Sequence, residues 1–229
     1  GHDGNRGEAV LWADQIGAQT THLGAYQGHG NVAHPHGILI TWATITEGGF
    51  QVNRDGQRFW NESQGYSEAA RAVLNEKGGE AFTIFDARIA AIARQFEDFK
   101  QAEAVGAVKT SDTVDGLATQ LGLPAAELGK TMASIPVGRE DAFGRTFGAT
   151  DLSPPFYGVH VTGALFHTQG GLVINNAGQV LRTDGTAFKT LFAGGGAACG
   201  VSGKGDAGYL SGNGLLSAVV LGRLCGLAA

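Results

Sequence analysis

Histidine offers the first chemistry in this chain. His29, His34 and His36 fall within eight residues, and His34-Pro35-His36 puts two imidazoles on one face of an extended segment, as a zinc site would need. No Cys, Asp or Glu stands beside them to complete a ligand set. Substrate contact or structural hydrogen bonding is therefore favoured, and no metal is expected. A further histidine opens His167-Thr168-Gln169-Gly170-Gly171, between a strand-like run and a glycine pair, where a ring that titrates near neutrality suits proton chemistry. Gly203-Lys204-Gly205-Asp206-Ala207-Gly208 spells G-x-G-x-x-G, but its context is wrong for a dinucleotide fingerprint. Such a motif follows its strand directly and is trailed about 20 residues later by an acid. Here nine residues separate it from the last strand at Ala193, and the chain stops at Ala229. A helix starting near Asn213 is more promising. Its free N–H groups and positive dipole end, approached by glycine-rich backbone, suit a flat ligand that develops negative charge. The same glycines equally suit a helix that needs small neighbours. Cys199 and Cys225 read as two buried, reduced thiols, which points to a cytoplasmic protein.

These residues need elements to hold them. Glu8–Ile16 is an amphipathic helix closed by Gly17. Tyr26–Gly37 is expected as a loop, and Ile38–Ala43 as a buried strand. Phe50–Val52 and Arg58–Trp60 flank Asn53-Arg54-Asp55-Gly56, a hairpin turn by composition. Ser67–Leu74 reads as helix and Phe82–Phe85 as strand. Asp86 caps a helix over Arg88–Arg94, and two more helices fit Thr113–Leu121, stopped by Gly122, and Pro124–Ser134. Beyond Arg139 the texture turns to strands and loops: Phe156–Val161, then Gly171–Ile174 pairing with Gln179–Leu181 across Asn175-Asn176-Ala177-Gly178, then Leu191–Ala193. Eleven of the 34 residues from Ala193 to Gly226 are glycine, and they lead into a helix over about Asn213–Leu224.

Composition sets the outer bounds. With 43% hydrophobic and 16% charged residues over 229 positions, the chain is a globular protein with a sizeable core, in one large domain or two small ones. A net charge of −5 argues against nucleic acid as a partner, and no apolar run reaches membrane-spanning length. The 38 glycines are more than twice the ordinary share of roughly 7%, as expected where backbone presses closely on a cofactor. The chain begins at Gly1 without methionine or signal segment, which reads as a piece of something longer.

From about Gly7 to Ala229 the chain resembles flavoproteins of the fumarate reductase/succinate dehydrogenase and 3-ketosteroid dehydrogenase superfamily. The resemblance is carried by His167-Thr-Gln-Gly-Gly, Leu191-Phe-Ala-Gly-Gly-Gly, Gly208-Tyr-Leu-Ser-Gly-Asn-Gly with Gly222-Arg223, the run Val52-Asn-Arg-Asp-Gly-Gln-Arg-Phe-Trp-Asn-Glu62, and Gln27-Gly28-His29. It implies an α+β chain: a trailing flavin-domain helix (1–24), a mixed α/β capping domain (25–165), and the C-terminal strand–helix segment of an FAD-binding α/β domain (166–229) whose N-terminal half is absent. It also implies FAD, contacted by Gly194, Gly195, Gly196, Gly212, Asn213, Gly214 and Leu215.

The departures bear on the substrate. Fumarate reductases of this superfamily grip a dicarboxylate with two arginines, one of which delivers the proton; the matching positions here are Tyr66 and Tyr209. The family's threonine–glutamate pair in the proton path aligns with Thr41-Trp42. A phenol offers one hydrogen bond to a neutral oxygen, where an arginine fork suits a carboxylate. The resemblance thus implies Tyr66, His167 and Tyr209 as catalytic residues and His29 and Thr168 as substrate contacts. The reaction would move a hydride and a proton across a C–C bond beside a carbonyl of a small molecule, with the electron partner unassigned. A non-catalytic binding module and a fumarate-type reductase remain open alternatives at this stage.

Overall fold

The computed structural model describes residues 4–205 and 209–229. Its elements, in chain order, begin with α1 (Glu8–Gln15), β1 (Thr20–Thr21), β2 (Tyr26–Ala33), β3 (Ile38–Leu39), α2 (Ala43–Thr46), β4 (Phe50–Val52) and α3 (Tyr66–Asn75). There follow β5 (Glu80–Asp86), α4 (Ala87–Ala93), α5 (Glu97–Ala104), β6 (Val108–Ser111), α6 (Val114–Leu121) and α7 (Ala125–Ser134). The last are β7 (Phe156–Thr168), β8 (Gly171–Leu172), β9 (Gln179–Leu181), β10 (Ala187–Phe192) and α8 (Asn213–Ala228). The described chain forms two compact units, residues 28–164 and residues 1–27 with 165–229.

The unit of residues 28–164 is built on a sheet of order β3-β2-β7-β5-β4, with β6 also pairing β7. All seven residues of β5 are buried, and its period-2 alternation feeds two cores. Ala81 and Phe85 join Ile89, Phe99, Val159 and Val161 on one face. Phe82 and Ile84 join Phe50, Leu117, Leu128 and Phe156 on the other. The helix ends follow sequence chemistry. Asp86 accepts the Ile89 N–H at 3.0 Å, Thr113 accepts that of Gly116 at 3.1 Å, and Gly122 closes α6 with φ 70°.

Several expectations give way to tertiary structure. The histidine-rich stretch is strand as far as Ala33, although Gln, Gly, His and Asn are poor strand formers, because that backbone lies directly under α3. His34 and His36 sit in an exposed turn closed by the Gly37 N–H on Ala33 O at 2.8 Å, so they do not share one face of an extended segment. The expected strand Ile38–Ala43 is two residues long and breaks into α2, where Thr44 Oγ1 donates to Thr41 O at 2.9 Å. The Asn53–Gly56 turn forms, but its second arm, Arg58–Trp60, is not a strand; β4 pairs with β5 instead. Gly171–Ile174 and Gln179–Leu181 meet through the single bridge Ile174↔Val180 rather than a ladder, since β8 pairs β1 and β9 pairs β10. Pro124 precedes α7 rather than entering it, and α5 and β6 are elements the sequence reading missed.

The other unit is thinner. Its core comprises Ala13, Ala18, Leu172, Val180, Ala193 and Ala198, with Phe188 and Leu221 partly buried against it. Leu215, Leu216, Val219 and Leu227 of α8 are exposed, Leu215 at 79%. Among the described residues no helix is long and apolar enough to cross a membrane. Cys199 and Cys225 are free and only half-buried, a correction to the expected burial.

Candidate functional site

In the unit of residues 1–27 and 165–229, β7 carries His167 to its end, and the chain folds back at Gln169. The Gln169 N–H donates to Ala25 O at 2.8 Å, and its carbonyl accepts the Gly200 N–H at 2.7 Å. These bonds draw the glycine turn after β10 beside His167. A small pocket results, lined by His167, Thr168, Gln169, Gly195, Gly196, Asn213 and Gly214 among others. His167 Nε2 lies 3.1 Å from the Tyr209 hydroxyl, with the two rings edge to face at 5.4 Å. Its Nδ1 faces Thr168 O at 3.1 Å, so the ring is held from both nitrogens.

The floor of this pocket is the start of α8. Gly212 caps it in the left-handed region (φ 79°) and no side chain caps the helix, whose Asn213 N–H donates to Leu210 O at 3.1 Å. Asn213 is buried and bonded to Ser202. A Cβ built at Gly196 meets nothing within 4 Å, and one at Gly214 meets only the His167 ring, at 3.8 Å. Backbone at the start of a 16-residue helix suits the edge of a flat ligand that takes on negative charge, as a flavin does on reduction.

Not all the expected cofactor residues line it. Gly194 packs on α8 beside Leu221 and Gly222, and the Leu215 side chain is exposed. Gln169, missed as a site residue, is 3% exposed and sets its Nε2 at 3.4 Å from both His167 ring nitrogens; the signal was its place inside the His167–Gly171 run. Asp206, Ala207 and Gly208 of the G-x-G-x-x-G run lie outside the described residues.

The unit of residues 28–164 holds His29 and Tyr66. Tyr66 opens α3 and stacks on His29 at 5.0 Å and 17°, while Trp42 meets both rings on edge, at 5.7 Å from His29 and 6.2 Å from Tyr66. Gly28 and Gly30 make this possible. A Cβ on Gly30 would collide with the Ala69 backbone and one on Gly28 with Ala70, so only glycine on both sides of His29 lets β2 lie against α3. Burial drives the His29 pKa down to about 4, so the ring is neutral at pH 7. It accepts the Asn31 N–H on Nδ1 at 3.2 Å. His29 therefore does not supply positive charge to Tyr66. Among the described residues no group of three His, Cys, Asp or Glu side chains is arranged to hold a metal.

A family model described as an FAD binding domain matches residues 2–215. The chain belongs to that FAD-binding family. A probable fumarate reductase of Shewanella frigidimarina is 33% identical over 225 residues, covering 96% of this chain and 37% of the relative. A 3-oxosteroid 1-dehydrogenase of Mycobacterium tuberculosis is 26% identical over 247 residues, covering 89% of this chain and 43% of the relative. The solved open conformation of a flavocytochrome c3 fumarate reductase superposes with a TM-score of 0.74 at 31% identity, over 97% of this chain and 39% of that one. This FAD-binding chain thus spans about two fifths of the length of these relatives, all of them oxidoreductases by name. FAD is the cofactor of the family.

Proposed function

We propose that this chain is part of a flavoenzyme that adds or removes hydrogen across a C–C bond next to a neutral carbonyl. FAD, when bound, supplies the hydride exchange with one carbon. His167 and Tyr209 bind and polarise the carbonyl oxygen, with Thr168 beside them; Tyr66 exchanges the proton at the neighbouring carbon, and the neutral His29 ring backs it. Gly194, Gly195, Gly196, Gly212, Asn213, Gly214 and Leu215 belong to the segment that holds the flavin, which the uncapped helix favours in its anionic form. Residues 28–164 act as the substrate-covering part. The observation that carries this reading is the His167–Tyr209 hydrogen bond on the rim of the α8 slot. Phenols, at Tyr66 and Tyr209, stand at the positions where the resemblance would put the arginines that grip a carboxylate.

The test uses the full-length, FAD-loaded protein with its flavin reduced chemically, then mixed with fumarate, cyclohex-2-en-1-one or a conjugated 3-oxosteroid. Reoxidation by a neutral enone, slowed about 10²–10⁴-fold in Tyr66→Phe at unchanged FAD content, is the expected result. Reoxidation by fumarate alone overturns the assignment of a neutral carbonyl.

A further inference from the structure

Four residues before Tyr66 the chain passes through a buried set of charges. Glu62 has no exposed side-chain surface. Its Oε1 accepts the Gln51 N–H at 2.8 Å, and its carboxylate pairs with Arg58 and, at 3.1 Å, with Arg145. Arg58 continues to Asp141 and to Trp60 O (2.9 Å). Nη2 of Arg145 donates to Ile45 O and Gly49 O, each at 2.8 Å. Two guanidiniums and two carboxylates thus balance one another away from water, which suits a buried cluster held for geometry.

Each of the three packed rings is tied to this cluster through a short stretch of chain. Glu62 starts a 3-10 turn that ends at Gln64, and Tyr66 follows across Gly65. Ile45, whose carbonyl Arg145 holds, donates its own N–H to Trp42 O at 2.9 Å. Gln51, whose N–H rests on Glu62, donates from Nε2 to Gly30 O at 2.8 Å, next to His29. The charges reach all three rings, yet none belongs to the stack.

We propose that Glu62, neutralised by Arg58 and Arg145, is the positioning residue that sets Tyr66 against His29 and Trp42 for proton exchange. The inference rests on Tyr66 having that role. Glu62→Gln keeps the shape and the acceptor for Gln51 but leaves two buried arginines undercompensated. Misplacing a reacting group by an ångström costs up to about 10²-fold in rate.

The experiment follows single-turnover reoxidation of the chemically reduced, full-length protein by cyclohex-2-en-1-one, in wild type, Tyr66→Phe, Glu62→Gln, Glu62→Asp and Arg145→Lys. A roughly 10- to 100-fold drop in the limiting rate of Glu62→Gln, with the half-saturating enone concentration within about threefold and FAD content unchanged, supports the proposal. Glu62→Asp, which keeps the charge, should fall between it and wild type. If Glu62→Gln does not fold, Arg145→Lys carries the test, because it keeps the charge and loses the paired carbonyl bonds; a drop of about 3- to 10-fold is expected. A folded Glu62→Gln or Arg145→Lys protein at the wild-type rate, beside a slow Tyr66→Phe, overturns the positioning role alone. A wild-type rate in Tyr66→Phe removes the proton role of Tyr66 and this inference with it.

Discussion

His29 shows how burial changes what a residue can do. Flanked by glycines and covered by Tyr66 and Trp42, its imidazole stays neutral far below the pH at which a free histidine charges. Its folded pKa of about 4 lies under the free value of 6.5, so between those values the unfolded chain takes up a proton that the folded chain refuses. Stability is then complete above pH 6.5 and falls as acid is added through that window, by on the order of 3 kcal/mol. An NMR titration should find the His29 ring protonating near pH 4, and His29→Gln should flatten the fall in melting temperature between pH 7 and pH 4.5. A His29 ring that titrates near 6.5 would show that the stack opens to water. The histidines that looked like a cluster in sequence have separate fates: His29 is buried, whereas His34 lies exposed, edge to face with His160 at 4.9 Å.

At the scale of elements, the contact of β2 with α3 is the joint on which the aromatic stack depends. Buried Ala69, Ala70 and Val73 form the inner face of α3, and Ser67 Oγ accepts the Gly28 N–H at 3.1 Å. There is no room for a methyl group at Gly30, where the Ala69 backbone is the obstacle. Gly30→Ala should therefore destabilise the protein by about 1–3 kcal/mol or more, the usual scale of overpacking, and should reduce the near-ultraviolet circular dichroism of the stacked rings. A melting temperature and spectrum equal to wild type would mean that α3 does not pack against β2. Much of this region was legible in advance. Ser67–Leu74 has helical periodicity, Asp86 is a good cap, and Gly122 a good stop. What could not be read was that Tyr26–Ala33 is a strand, because its residues are extended by what lies over them and not by their own preference.

For the whole molecule, the two units differ in how completely they bury themselves. Residues 28–164 enclose two cores on one sheet, with Phe85, Ile89 and Phe99 on one face and Phe50, Ile84, Leu117 and Leu128 on the other. Residues 1–27 and 165–229 leave Leu11, Trp12, Leu215, Leu216 and Val219 exposed around a core made largely of alanine. A polypeptide of residues 28–164 should accordingly melt cooperatively by itself. The 229-residue chain alone should retain FAD weakly or not at all through gel filtration, since the unit with the α8 slot has so little core to hold the slot in shape. Stoichiometric flavin absorbance in the filtered chain would contradict that outcome.

Local chemistry was enough for the helix caps and stops, for the turns at Asn53 and Asn175, and for the run from His167 to Gly171 that marks the family. Each of these depends on neighbours within a few residues, which a sequence displays directly. The partners of β4 and β8, the breaking of the Ile38–Ala43 segment, the bonding of Gln169 to Ala25 and Gly200, and the burial of Glu62 between Arg58 and Arg145 needed the tertiary structure. Arg145 lies 83 residues from Glu62 along the chain, and nothing local to either residue names the other. A charge becomes a clamp, and an imidazole loses its proton, only when distant parts of the chain exclude water from them.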